Sequence, residues 1–443
     1  MQIERGVRNL FAYGVGLIFW QPEFRRQGRQ RFRPSGPTPR GANSKGEFAM
    51  TSKRAIEGLQ SRAIDVAPSI TRVLANDAMG LEGLIPLWFG EPNQPTPQFI
   101  CDAAAQSMAN GETFYAEGLG RPYLREAIAT YMSGLYGREI GVERIAVTVS
   151  GGNALNLAFQ SVLNEGDTVA TLTPAYPNLL GIPTMQGARL ITHPLEVRNG
   201  KWSLDVEAFL AAVEGAKVVL LNSPSNPTGF MLSAAEVKRI MAVLRERGTW
   251  LISDEVYARL VYDGSKAAPS FLEASVPEDR LIVVNSFSKS WAMTGWRLGW
   301  LTLPPSLTPV VEKIAEFSIS CAPPYAQRAG VVALGEGEDF VNRTNTLYRD
   351  ARDQVCNALR DCEAITCPVP DSAFYAFFHV AGVEDSVAFA RMLIEKARVG
   401  LAPGDAFFAP EPGWFRLCFA QTPDQLTEAL DRLAPYLSSP ATA

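Results

Sequence analysis

RLIVVNSFSKSWAMTGWRLGWLTL, residues 280 to 303, sets two short apolar runs, LIVVN and LGWLTL, on either side of a polar turn that carries Lys289 and Arg297. Short runs rich in β-branched residues and without polar alternation suit strands buried on both faces. The pattern recurs upstream in RIAVTVS, DTVATL, ARLITHPL, AKVVLLN and TWLISD, with helical stretches such as GNALNLAFQSVL, YPNLLGIPTMQG and SAAEVKRIMAVLRERG between them. Strand alternating with helix predicts an α/β fold whose mainly parallel sheet is sandwiched by helices. In open sheets of this kind ligands sit beyond the carboxyl ends of the strands, so the residues that follow each run are the candidates for chemistry.

With 443 residues, 47% of them hydrophobic, the chain can bury a large core and is expected to form more than one domain. A net charge of −5 provides no basic face for nucleic acid. The longest apolar runs, about 12 residues, fall short of the ~18 that a membrane span requires. Six cysteines without a CxxC pair, and only His193 and His379 as histidines, leave little for a metal site. Free thiols in a reducing cytoplasm are the simplest expectation.

Residues 1–50 combine LFAYGVGLIFW with the arginine-rich, acid-poor QPEFRRQGRQRFRPSGPTPRG and are read as a flexible or mis-started leader, with Met50 an alternative start and an organelle transit peptide the competing reading. Residues 51–85 form an N-terminal arm and 86–325 the large domain. Residues 326–443 form a smaller α+β domain, with strands at SAFYAFFHV and GWFRLCFA, which the arm joins.

Five strand ends deliver polar groups to one rim: SGGN (150–153), TPAYPN (173–178), NSPSNPTG (222–229), SDEVY (253–257) and NSFSK (285–289). In SGGN, glycines at a strand-to-helix junction offer backbone N–H groups to an anion, although a plain turn would read the same. Neither GxxxxGK[ST] nor GxGxxG is present there, which disfavours a nucleoside triphosphate or a dinucleotide. Asp254 ends an apolar run and either caps the next helix or faces a cation such as a protonated heteroaromatic nitrogen. Lys289 is the sharpest case. A lone lysine commonly snorkels to water, but a buried amine loses its proton readily and attacks carbonyls.

NPTG, SDEVY and SFSKSWAMTGWRLGW, in this order and approximate spacing, resemble the class I and II aminotransferase family, fold type I pyridoxal-phosphate enzymes, over residues 60 to 435. The resemblance implies that Lys289 is the Schiff-base lysine and proton shuttle, and that Asp254 pairs with the pyridine nitrogen. Asn226 and Tyr257 would bond the ring 3′ oxygen, and Tyr176 would stack on the ring. Gly151, Gly152, Asn153, Ser286, Ser288 and Arg297 would hold the phosphate, and Tyr115 would reach the phosphate of a neighbouring subunit, which implies a homodimer with shared sites. Arg416 would clamp the substrate α-carboxylate, with the Gly90 backbone and Asn226 assisting.

The activity implied is ping-pong transfer of an amino group from an L-amino acid to a 2-oxo acid. Some aspartate-using and prephenate-using relatives carry a lysine where this chain has Gly152, a departure that counts against a dedicated aspartate enzyme. Trp88, Phe89 and the segment Ser318–Tyr325 could favour neutral or aromatic substrates or could equally be packing. A carbon–sulfur β-lyase or a cyclopropane-forming synthase would share Lys289, Asp254 and Arg416. A ligand sensor would need a DNA-binding helical domain in front, and the 50-residue leader shows no helix-turn-helix pattern.

Overall fold

Each apolar run becomes a strand, and neighbouring residues of a run serve opposite faces of one sheet. The computed structural model describes residues 62–438, so the readings made for residues 1–50 and for the start of the arm lie outside the described residues. The strands in the first half are β1 (Ile85–Pro86), β2 (Ile145–Thr148), β3 (Thr168–Thr173), β4 (Arg189–Pro194), β5 (Glu196–Arg198), β6 (Lys201–Ser203) and β7 (Val218–Asn222). Those that follow are β8 (Trp250–Asp254), β9 (Leu281–Ser286), β10 (Gly299–Thr302), β11 (Ile365–Thr366), β12 (Tyr375–Val380), β13 (Val399–Gly400), β14 (Ala402–Pro403) and β15 (Trp414–Cys418).

Seven of them form one sheet in the order β2-β10-β9-β8-β7-β3-β4. Its pairings are parallel except those of β10, which runs antiparallel to both β2 and β9. Val218, Leu220, Ile282 and Val284 pack on one face, beside Leu155 and Phe159 of the helix Gly151–Val162. Val219, Leu221, Leu281 and Val283 pack on the other, with Ile240 and Leu244 of the helix Ala234–Arg247. This is the two-residue period of a strand covered by helices on both sides. β4 departs most from the expectation of full burial: at the sheet's edge, Arg189, Thr192 and Pro194 are exposed. An edge strand has a partner on one side only, and charge there discourages further pairing.

The helices begin and end where their sequences direct. Ser233 and Glu236 make a reciprocal capping box at the start of Ala234–Arg247, and Gly248 closes it in the left-handed conformation at φ 65°. Gly337 separates the helices Pro324–Glu336 and Glu338–Arg360. A Cβ there would strike the Ala333 carbonyl and, at 2.7 Å, the Trp291 ring.

A second, antiparallel sheet has the order β11-β12-β15-β14. The arm is joined to this C-terminal part: β1 pairs in parallel with β13, Ile85 opposite Val399 and Pro86 opposite Gly400. One hairpin was not anticipated. β5 and β6 meet through Asn199-Gly200, both at positive φ (52° and 72°), the turn that an Asn-Gly pair between short polar strands favours. No helix among the described residues is long and apolar enough to cross a membrane.

Register in the main sheet aligns the chemistry. Gly299 of β10 lies opposite Thr148 on one side and Ser286 on the other, while Asp254 lies between Asn222 and Val284. A Cβ on Gly299 would stand 2.8 Å from the Asn285 carbonyl oxygen, 3.0 Å from the Ser150 carbonyl carbon and 3.1 Å from the Gly151 nitrogen. All three are backbone atoms, which cannot swing aside. Gly299→Ala is therefore expected to cost roughly 1–3 kcal/mol in urea unfolding, the usual range for overpacking. A midpoint unchanged from that of the parent would contradict this tight approach.

Candidate active site

The carboxyl ends of β2, β3, β7, β8 and β9 open onto one cavity of about 500 Å³. Its wall includes Gly90, Gly151, Gly152, Tyr176, Asn226, Asp254, Tyr257, Ser286, Ser288, Lys289, Arg297 and Arg416. Residues as far apart in the chain as Ser69 and Arg416 thus share one space: the parallel strands of the main sheet end on one rim, and β15 of the second sheet brings Arg416 to it.

After β2, Ser150 adopts φ 124°, a strained value for a residue with a side chain, and turns the chain abruptly into the helix Gly151–Val162. Its hydroxyl accepts the Asn153 N–H at 3.2 Å. The N–H groups of Gly151 and Gly152 head the helix, where no earlier turn supplies an acceptor. A Cβ on Gly152 would meet only the Ser150 hydroxyl, at 3.8 Å, so the approach to these groups is open. Across from them, Ser286 Oγ and Ser288 Oγ are 2.9 Å apart. Arg297, itself at φ 53°, completes this end and donates to the Thr294 carbonyl at 2.6 Å. Backbone N–H groups, two hydroxyls and a guanidinium make a donor set suited to a phosphate.

Asp254 closes β8. Its backbone carbonyl accepts from the Asn222 amide at 3.0 Å, and a carboxylate oxygen accepts the Val256 N–H at 3.3 Å. Burial pushes its carboxyl up to about 7, against the downward pull of the Val256 N–H and of the Lys289 charge. A buried carboxyl so poorly compensated is stabilised as an anion by any cation brought into the cavity, such as a protonated ring nitrogen.

Lys289 follows β9 and donates to the Gly90 carbonyl at 2.7 Å. The rings of Tyr257 and Phe374 each lie 5.8 Å from its nitrogen. Burial draws its ammonium down to about 8. The Tyr257 hydroxyl lies 2.8 Å from that of Tyr375. Burial raises both phenols above their ordinary range, so they remain protonated.

Arg416 on β15 is buried, with Nη1 donating to the Asn226 side-chain oxygen at 2.7 Å and Nη2 to the Trp88 carbonyl. Nε has no partner, and no carboxylate pairs with this guanidinium among the described residues. The rings of Tyr375 and Phe407 flank it at 4.6 and 4.4 Å. A desolvated cation of this kind leaves a strong preference for an incoming anion.

Two of the residues singled out from sequence stand apart. The Asn153 side chain turns back to accept the Val149 N–H at 3.3 Å, and Asn153 is not part of the cavity wall. Tyr115 is 87% exposed and outside the cavity. Of the segments considered for the substrate side chain, Phe89 reaches the cavity, whereas Trp88 is buried in the core. Ser318–Tyr325 is absent from the cavity wall, and Tyr325 faces a neighbouring hollow. The structure adds Tyr375, whose only signal was one hydroxyl in the apolar run SAFYAFFHV. It also adds Thr71 and Arg72, which carried no motif.

The residues present fit pyridoxal phosphate: an anion cup, an under-compensated buried carboxyl and a depressed amine line the same space. Comparison with known proteins agrees. The profile for aminotransferase class I and II matches residues 82–433. The aspartate aminotransferase of Thermotoga maritima is 34% identical over 360 residues, 81% of this chain and 92% of its own length. That of Pyrococcus horikoshii is 32% identical over 382 residues, 86% of this chain and 97% of its own. The crystal structure of the Rhizobium meliloti aspartate aminotransferase aligns with a TM-score of 0.80 at 31% identity, covering 86% of this chain and 99% of its own. Sheet order, cavity and relatives agree, and the chain belongs to the class I and II aminotransferases as a pyridoxal-phosphate-dependent transaminase.

Proposed function

We propose that this enzyme moves the amino group of an L-amino acid to a 2-oxo acid with Lys289 as its proton-moving base and Arg416 as its α-carboxylate clamp. The observation that carries the reading is the pairing of a depressed amine with an unpaired buried guanidinium in one cavity. Gly151, Gly152, Ser286, Ser288 and Arg297 would hold the phosphate, Asp254 would pair with the ring nitrogen, Asn226 and Tyr257 would bond the ring oxygen, and Tyr176 would cover the ring. Asn153 supports the cup through its backbone and its bond to Val149. Pyridoxal phosphate, when bound, supplies an aldehyde that condenses with amines and a ring that draws electrons from the substrate α-carbon.

Lys289 Nζ, free of the Gly90 carbonyl, takes the α-proton of the amino acid. Arg416 orients the carboxylate so that this proton faces the amine, and Gly90 backs the same group. The 2-oxo acid leaves before the acceptor enters, which makes the kinetics ping-pong. Because Arg416 belongs to β15 and Lys289 to the short helix Phe287–Ser290 that follows β9, the units 86–325 and 326–443 are proposed to close over the substrate and exclude water. The names of the relatives support a dicarboxylic donor such as aspartate.

The enzyme is further proposed to act as a cytoplasmic homodimer with shared sites. Phe114, Tyr115 and Phe317 are each at least 80% exposed. The Ala116 N–H donates to Cys321 Sγ at 3.2 Å, so these aromatic residues sit on adjoining segments. Exposed aromatic residues grouped in this way are what a second copy covers, and Tyr115 would then reach the partner's phosphate.

Lys289→Ala is expected to retain the fold by circular dichroism while losing the half-reaction, read as the change in cofactor absorbance with each amino acid in turn. Normal conversion in that variant would refute the assignment, and release of ammonia from a single amino acid without a 2-oxo acid would favour a lyase. Arg416→Lys should raise KM for every amino-acid donor by roughly one to two orders of magnitude, because a point charge cannot reproduce the bidentate fork. A KM equal to that of the parent would remove Arg416 from the clamp. The Lys289 value lies below its ordinary 10.5, so the neutral amine dominates above about 8. Uptake of pyridoxal phosphate by the apo-protein, followed by absorbance, should therefore quicken as pH rises and level off above about 8; a flat profile from pH 6 to 9 would contradict this.

A further inference from the structure

We propose that Arg72, on the helix Ile70–Asp77, receives the second carboxylate of a dicarboxylic amino acid or 2-oxo acid; the proposal rests on the aminotransferase reading above. Four cations line the cavity, Arg72, Lys289, Arg297 and Arg416, against two carboxylates, Asp254 and Glu91. Three of the four have a place in the chemistry: the amine, the phosphate end and the α-carboxylate clamp. Arg72 has none, and no ion pair engages it among the described residues.

Its position is built. Ser69 caps the helix by accepting the Arg72 N–H at 3.3 Å, and Thr71 and Leu74 on the inner face are buried, so the backbone that carries Arg72 is held. The guanidinium lies 4.6 Å from the centre of the Phe89 ring. Phe89 immediately precedes Gly90, whose carbonyl holds Lys289, so the stack stands next to the reacting amine in the chain. A planar cation stacked on an aromatic face keeps its edge free for a bidentate carboxylate. The charges of Arg416, Arg297 and Arg72 all act on the Tyr176 phenol in the opposite direction to its burial, which places Arg72 within electrostatic reach of the ring site.

The remaining carboxylate does not satisfy Arg72. Glu91 Oε1 accepts the Thr294 hydroxyl at 2.5 Å, on the side of the cavity toward Trp296. Gly152 brings no side chain to the space. An amino acid with a neutral side chain would leave the Arg72 guanidinium to water. One with a terminal carboxylate would gain a charge-assisted, two-point contact at the mouth while Arg416 holds the other end. The cavity is thus suited to a molecule with an anion at each end.

The test compares the holoenzyme with Arg72→Ala and Arg72→Lys in half-reactions with aspartate, glutamate, alanine and phenylalanine. It also titrates each apo-protein with succinate and with butyrate, read by intrinsic fluorescence. For Arg72→Ala, the loss of kcat/KM with the two acidic donors should exceed the loss with the two neutral ones at least tenfold, through KM, with partial recovery in Arg72→Lys. Succinate should bind the parent more tightly than butyrate, and Arg72→Ala should abolish that difference. Equal losses on acidic and neutral donors, or a succinate preference that survives in Arg72→Ala, would overturn the proposal. If no amino acid converts the cofactor in the parent enzyme, the transaminase reading fails on its own, and the succinate titration still decides the role of Arg72.

Discussion

Desolvation at the rim of the main sheet acts on two groups of opposite charge and drives both toward neutrality. Burial raises the Asp254 carboxyl to about 7 and lowers the Lys289 ammonium to about 8. In water each would be ionised at neutral pH. Here each is close to its switching point. In the proposed function a ring cation would make Asp254 a stable anion, and an aldehyde would need Lys289 as a free amine. The same apolar strands that make the core, Trp250–Asp254 and Leu281–Ser286, therefore tune the chemistry at their ends.

That tuning depends on backbone geometry as much as on side chains. Gly299 lets three backbone segments approach closely where β10 passes between β2 and β9. Strain at Ser150 turns the chain so that the first N–H groups of the helix Gly151–Val162 face the cavity. On the other wall, Tyr375 occupies the volume that a side chain at position 90 would need. The Gly90 carbonyl can therefore reach Lys289 while the Tyr375 hydroxyl reaches Tyr257. The missing side chains at 90, 151, 152 and 299 are part of the site's shape.

Much of this was legible in the sequence. The seven apolar runs announced the strands because burial on both faces forbids polar alternation. Lys289 and Asp254 stood out because charge beside apolar runs is costly unless something offsets it, and Arg416 entered through the family resemblance. Arg72 was not legible: it lies on a surface-compatible helix with ordinary polarity, and only the packing of that helix brings it to the cavity mouth. Tyr375 and Asn222 were also missed. A tyrosine in a core strand and an asparagine at a strand end are unremarkable until their partners, Tyr257 and Asp254, are seen across the chain.

The sequence by itself determined the α/β class, the cofactor chemistry and the roster of charged residues that a core would not otherwise tolerate. The class and the roster are local properties, carried by hydrophobic period and by the energetic cost of burying charge, whereas the cofactor followed from the family resemblance of the motifs around Asn226, Asp254 and Lys289. The tertiary structure decided which polar groups share one space: Arg416 against Asn226, 190 positions away, and Lys289 against Gly90, 199 positions away. It also turned the Asn153 side chain out of the anion cup. Such contacts arise from strand order and register, which depend on the pairing of distant segments and leave no mark in any short stretch of the chain.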